Sequence, residues 1–351
     1  MAGAAMSRIE RLAALLDEPL LVTSGVNVRY LTGLQSSNAA VLVAPDGEAT
    51  LFTDFRYAQK ARALEGVRFE PTARAVIGDL STRLAGKTIW IESHVVTVAA
   101  NEQLREGGVE TVAQTGLVER LRAIKEPGEI ATMREAAAIS DRVFGALAEE
   151  QFTGRTEHEL AWRVRELFHE HGSSELSFDT IVAAAENGAS PHADVRDAEI
   201  PANTLVTIDA GCRVGGYASD CTRTFATGDL PDELARAYEV CLEAQLAGLD
   251  TYGPGVSGRE ADAAARDVIA AAGWGEQFGH GLGHGIGLEV HELPAARAES
   301  TDTFETGNVI SCEPGIYLPD VGGVRIEDMV LVTDEGSERL TQTAKGLTTV
   351  R

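Results

Sequence analysis

Apolar residues recur along this chain in two rhythms, and their arrangement changes near residue 121. At the start, Ile9, Leu12, Leu15 and Leu16 share one side of a helix. Short apolar runs at 20–22, 40–43, 50–53 and 88–91 predict strands, interleaved with helices such as one over 57–64. Pro45, Asp46 and Gly47 sit between the second and third runs and predict a hairpin turn. This alternation predicts a small α/β domain over residues 1–120. Beyond it, Pro127 stands at a first helical position with Glu129 in the first turn. Ile130, Met133, Ala137, Val143 and Leu147 then keep helical spacing to about residue 150. Further helices are predicted over 157–171, 231–249 and 257–272, with glycine-bearing connections and strand and turn signals around them. The second domain, 121–351, is therefore expected to be α+β.

Composition narrows the classes. In 351 residues, 30 Lys+Arg face 54 Asp+Glu, a formal charge of −24. Such a surface repels phosphate backbones and anionic lipid, which argues against nucleic-acid and membrane partners. No run approaches the ~18 uninterrupted apolar residues of a membrane span. Arg8, Glu10 and Arg11 break the apolar stretch that a signal peptide would need. Cys212, Cys221, Cys241 and Cys312 lack CxxC spacing, so reduced thiols in a cytoplasmic protein are expected.

The chemistry gathers in the second domain. In LVTIDAGCRVGGYASDCTRTF an apolar run reaches Asp209, a glycine-rich turn follows, and the return carries Asp220. A turn centred between Val214 and Gly215 sets the two carboxylates opposite each other, with Cβ atoms about 4.5–5.5 Å apart. Carboxylates that close repel unless a proton or a cation intervenes. A pair splayed to solvent is the plainer alternative, but a second hairpin repeats the pattern. NVISCEPGIYLPDVGGVRIEDMVLV delivers Glu313 and Glu327, opposed if the turn centres on Pro319–Val321. Four converging negative charges match two divalent ions, and ions about 3.5–4 Å apart form a hydrolytic device. FGHGLGHGIGLEVHELP adds His280, His284 and His291. Oxygen-rich ligands with one imidazole suit manganese or cobalt better than a thiolate zinc site.

Together these segments resemble the pita-bread metallopeptidases, the family of aminopeptidase P, prolidase and methionine aminopeptidase. The resemblance rests on D-A-G at 209–211, S-D-x-T-R-T at 219–224, G-H-G-x-G-H-G-I-G-L at 279–288, V-H-E at 290–292, E-P-G at 313–315 and R-I-E-D at 325–328. N-V-R-Y-L-T-G at 27–33 and T-D-F-R-Y at 53–57 resemble the creatinase-like N-terminal domain of the proline-specific members, which methionine aminopeptidases lack. The implied fold is α+β, a creatinase-like α/β domain followed by a pita-bread catalytic domain.

The resemblance implies roles for particular residues. Asp209 would take one metal with both oxygens, Asp220 and Glu327 would bridge, and His284 and Glu313 would complete the other site. The ions would be two divalent metals, manganese foremost, with cobalt or zinc as alternatives. A water or hydroxide between them would be the nucleophile. His192, in S-P-H-A, would contact substrate and stabilise the tetrahedral intermediate. His291 would stand near the scissile bond, and His280 close by. Arg325 and Thr222 would orient the metal-binding carboxylates. The expected activity is removal of the N-terminal residue from a peptide with proline second, by a cytoplasmic homodimer. Aminopeptidase P is preferred to Xaa-Pro dipeptidase, because T-D-F-R-Y and the compact N-terminal domain resemble short bacterial aminopeptidase P enzymes and the loop 34–39 (LQSSNA) offers no charge to clamp a dipeptide's carboxylate. A small-molecule hydrolase or lyase on the same fold, or an inactive peptidase-like binding protein, are the further alternatives.

Overall fold

A computed structural model of the protein describes residues 6–351, which divide into two compact units between Arg122 and Ala123. In the first, a mixed six-stranded sheet runs in the order Arg68–Pro71, Ala49–Thr53, Ala39–Val43, Leu20–Val22, Thr88–Glu92, Glu110–Gln114. The turn at Pro45–Gly47 is a hairpin, pairing Val43 with Ala49, and Gly47 supplies the left-handed φ of 88°. Leu21, Phe52, Leu80, Ile89 and Leu104 fill the core between this sheet and its helices. Two expectations need correction, and two strands are new. The helix over 57–64 shrinks to Ala58–Ala61. Leu15 is 48% exposed, because the first helix stops at Ala13 and the chain turns away from the buried face of Ile9 and Leu12. The outer strands Arg68–Pro71 and Glu110–Gln114 were not expected; their largely exposed residues lack an apolar alternation.

The second unit carries two principal sheets, each backed by a pair of helices. Thr348–Thr349, Thr222–Ala226, Leu205–Asp209 and Ile181–Ala184 form one sheet. Helices Pro127–Leu147 and Glu157–Glu170 pack on it through Phe144, Leu147, Leu160 and Phe168 against Val182, Val206 and Ile208. Glu292–Ala296, Gly283–Gly285, Val309–Cys312, Asp328–Thr333 and Gly336–Arg339 form the other. Helices Asp232–Thr251 and Gly258–Ala271 cover it through Tyr238, Cys241, Ala265 and Ile269. Helix starts follow local chemistry. Pro127 opens its helix, and Thr156 with Glu159 and Ser257 with Glu260 form reciprocal capping boxes. All four cysteines are buried and free. Among the described residues no helix is long and apolar enough to cross a membrane.

Candidate metal centre

The first acidic hairpin grows from the buried strand Leu205–Asp209. Its tip is Gly215–Gly216, with φ of 54° and 88°, between the paired residues Val214 and Tyr217. Two adjacent glycines suit a two-residue hairpin turn with positive φ at both central positions, so the tip centres on them and not on Val214 and Gly215. The expected direct opposition of Asp209 and Asp220 is therefore corrected: Asp209 pairs with Thr222. A slip of two residues preserves the face of a strand, so Asp220 remains on the same side as Asp209, displaced along the ladder. Gly211 permits the tight crossing below the tip, where an added Cβ would sit 1.8 Å from the Ser219 carbonyl oxygen.

The second hairpin holds one register across two ladders. Cys312 pairs with Asp328 and Gly315 with Arg325, which sets Glu313 opposite Glu327 in the gap between them. His284 arrives on the adjoining strand Gly283–Gly285. Its Nε2 lies 3.1 Å from Glu313 Oε1 and 3.9 Å from Asp220 Oδ2. Ligand atoms of Asp220, His284 and Glu327 all fall within 4.8 Å of one another.

The electrostatics describe a site short of positive charge. Burial, then the charges of Glu327, Asp209 and Glu313, pushes the Asp220 carboxyl well above its ordinary value. Burial and the charges of Glu313 and Asp209 do the same to Glu327. Glu313 goes the other way: burial opposes it, but the hydrogen bond and charge of His284 hold it down at about 2. Burial alone would lower His284, yet Glu313 raises it. His284 Nδ1 is 3.1 Å from the Gly285 carbonyl oxygen, which can only accept, so that nitrogen carries a proton and Nε2 faces the carboxylates. Asp209 Oδ1 and Glu327 Oε1 are buried without a hydrogen-bond partner. Orphaned carboxylate oxygens beside an inward imidazole fit hard or borderline divalent cations.

Supporting groups fix these carboxylates. Arg325 donates to Asp209 Oδ2 at 2.8 Å, to Thr222 Oγ1 at 3.2 Å and to Tyr317 Oη at 2.9 Å. Thr222 Oγ1 donates to Glu327 Oε2 at 2.8 Å. His280 has both ring nitrogens engaged, Nδ1 with the Gly281 carbonyl at 2.8 Å and Nε2 with Tyr317 Oη at 2.9 Å. Ser311 accepts from the His284 backbone N–H and donates to Glu313 Oε1, both at 3.0 Å. Ser311 and Tyr317 were missed in the sequence, although strand alternation puts both on the face of Glu313.

A cavity of about 640 Å³ opens over this cluster. His192 and His291 line it, and the His291 ring centroid is 4.3 Å from that of His284. Burial, then the His284 charge, lowers the His291 pKa, and burial lowers that of His280. Phe178, Val290 and Leu293 give the cavity apolar walls. Arg297 lines it as well, its guanidinium without a partner among the described residues.

Known proteins share this sequence and fold. Residues 8–124 match the creatinase/prolidase N-terminal domain, and residues 131–334 match metallopeptidase family M24. An uncharacterized peptidase of Bacillus subtilis is 37% identical over 334 residues, 93% of this chain and 94% of its own. A Xaa-Pro dipeptidase of Pyrococcus furiosus is 34% identical over 348 residues, 97% of this chain and 99% of its own. The solved structure of a Xaa-Pro dipeptidase from Bacillus anthracis superposes with a TM-score of 0.93 at 36% identity, covering 98% of this chain and 99% of that one. With the creatinase-like and pita-bread architecture, the converging carboxylates and these matches in hand, the chain belongs to metallopeptidase family M24 and is an enzyme of a kind that uses divalent metal ions.

Proposed function

We propose that this protein is an Xaa-Pro dipeptidase that works with two divalent ions, manganese foremost, held by Asp209, Asp220, His284, Glu313 and Glu327. The observation that carries the metal reading is the buried carboxylate cluster, in which Asp209 Oδ1 and Glu327 Oε1 have no partner. Bound there, divalent ions supply charge against a scissile carbonyl oxygen and bring the pKa of a water toward neutrality. The protein's own groups do the rest. Arg325 and Thr222 hold the Asp209 and Glu327 carboxylates in place. His192 reaches into the cavity as a donor for the substrate carbonyl. His291, kept below its usual pKa, meets substrate as a neutral imidazole able to take or pass a proton. His280, with both nitrogens engaged, holds Tyr317 and through it Arg325. The amide before proline has no N–H to be recognised, so the ring must be gripped by shape, and Phe178, Val290 and Leu293 offer that.

The dipeptidase reading replaces the aminopeptidase preference drawn from the sequence. That preference rested on T-D-F-R-Y, the compact N-terminal domain and the uncharged loop 34–39. Arg297, on a different stretch of chain, brings a cation without a partner among the described residues into the cavity, where the carboxylate of a dipeptide lies close behind proline. The relatives named Xaa-Pro dipeptidase favour the same choice. Under this reading residues 1–120 form the creatinase-like domain, residues 121–351 carry catalysis, and the enzyme works as a cytoplasmic homodimer. The test compares Xaa-Pro with Xaa-Pro-Xaa peptides on manganese-loaded protein. Cleavage of the dipeptide is expected to dominate, and Arg297→Ala is expected to raise its KM about tenfold or more. Preferential cleavage of the tripeptide, with no effect of Arg297→Ala, restores the aminopeptidase assignment.

A further inference from the structure

Glu327 is held at three points, and two of them lead away from the cavity. Its backbone N–H donates to the Thr222 carbonyl at 3.1 Å, and its Oε2 accepts from Thr222 Oγ1. Its backbone carbonyl accepts from Arg223 Nη1. Arg223 is itself buried, and all five of its N–H donors are engaged. Nη1 also donates to the Thr222 carbonyl at 2.8 Å. Nε donates to the Ala344 carbonyl at 3.1 Å, and Nη2 to the Thr343 carbonyl at 2.8 Å and to Asp328 Oδ1 at 2.7 Å. Asp328 follows Glu327 directly and points to the opposite side of the strand. It is fully buried, and accepts from Thr341 Oγ1 at 2.9 Å, Gln245 Nε2 at 3.0 Å and Lys345 Nζ at 3.1 Å. Among the described residues neither Arg223 nor Asp328, nor any residue of 341–345, lines the cavity.

We infer that Arg223 and Asp328 are positioning residues for the metal pair, fastening Glu327 to the C-terminal segment 341–345 so that its unpartnered Oε1 faces Asp220 and His284. This rests on the metal-dependent reading above, but not on which peptide is cleaved. A buried ion pair of this kind is weak evidence of stabilisation in itself. Its geometry, by contrast, is specific: one guanidinium joins the ligand's carbonyl to two carbonyls more than a hundred residues from its own position. A lysine at 223 has three donors and no fork, and must release at least two of these contacts.

The test is titration calorimetry of Mn²⁺ into metal-free full-length protein, with melting followed in parallel. Arg223→Lys is expected to weaken Mn²⁺ binding at least about tenfold, with kcat recovering at saturating Mn²⁺. Lys345→Met removes one partner of Asp328 near the surface and keeps the proposal testable if Arg223→Lys does not fold. It is expected to weaken binding about threefold. Folded variants with lower melting temperatures but Mn²⁺ affinity within about twofold of wild type overturn the inference. That outcome leaves the dipeptidase reading intact, because the titration contains no substrate; a wild-type protein that binds no Mn²⁺ overturns both.

Discussion

Asp220 and Glu327 sit where burial and neighbouring carboxylates both disfavour their charged forms, while His284 is drawn toward its charged form by Glu313. A cation needs the opposite states: both carboxylates ionised and the His284 Nε2 lone pair free. All three groups therefore lose protons as metal enters. Because all three pKa values are raised, the two carboxyls keep their protons above the ordinary carboxylate range and His284 keeps its proton above the ordinary histidine value. Mn²⁺ affinity is thus expected to climb from pH 5.5 to pH 8, with more than about one proton released per protein in calorimetry across buffers of different ionisation enthalpy. Affinity that is flat over this range, without proton release, contradicts the arrangement. Asp220→Asn and Glu327→Gln are expected to bring turnover to background and to lower metal content by elemental analysis. His291→Ala should leave metal content unchanged and reduce kcat by about 100-fold or more; loss of metal together with turnover makes it a ligand instead.

At the scale of strands and turns, glycine decides where the carboxylates land. Gly211→Ala would drive a methyl to 1.8 Å from the Ser219 carbonyl oxygen, backbone that cannot swing aside. The variant is expected to lose more than about 2 kcal/mol in chemical denaturation, and metal affinity with it, since Asp209 and Asp220 lie on either side of the crossing. Much of this level was legible in the amino-acid order. The second hairpin follows from the placement of Pro319, Asp320 and Val321, and its ladders run in that register. The first hairpin was misplaced because Gly216 is as able as Gly215 to take a left-handed φ, and two consecutive glycines move the tip by one residue. Tyr317 and Ser311 were overlooked for a different reason. Their partners, His280 and His284, come from a stretch some thirty residues earlier, and no local pattern announces which hydroxyl an imidazole will meet. Arg297 was passed over because its importance depends on having no partner among the described residues, which only the assembled cavity reveals.

For the molecule as a whole, a net charge of −24 and a buried acidic cluster make a bound cation a stabiliser as well as a cofactor. The second unit's two helix-backed sheets form cores that do not pass through the metal centre. Chelation should therefore abolish activity while leaving the far-ultraviolet circular dichroism unchanged. Restoring Mn²⁺ to about 100 times its Kd should raise stability by about 2.7 kcal/mol, read as a shift in melting. Loss of secondary structure on chelation shows instead that the metal holds the fold together.

The common register of the Glu313–Glu327 hairpin has a consequence for how this chain tolerates change in length. Residues added in the tip around 319–321 leave both ladders in phase, so the loop is free to vary in size without disturbing the carboxylates behind it. A single residue inserted between Glu313 and Gly315 reverses the facing of everything toward the tip, sending Tyr317 away from Arg325. Natural and engineered insertions should accordingly crowd into the tip and avoid the few residues beside the acids.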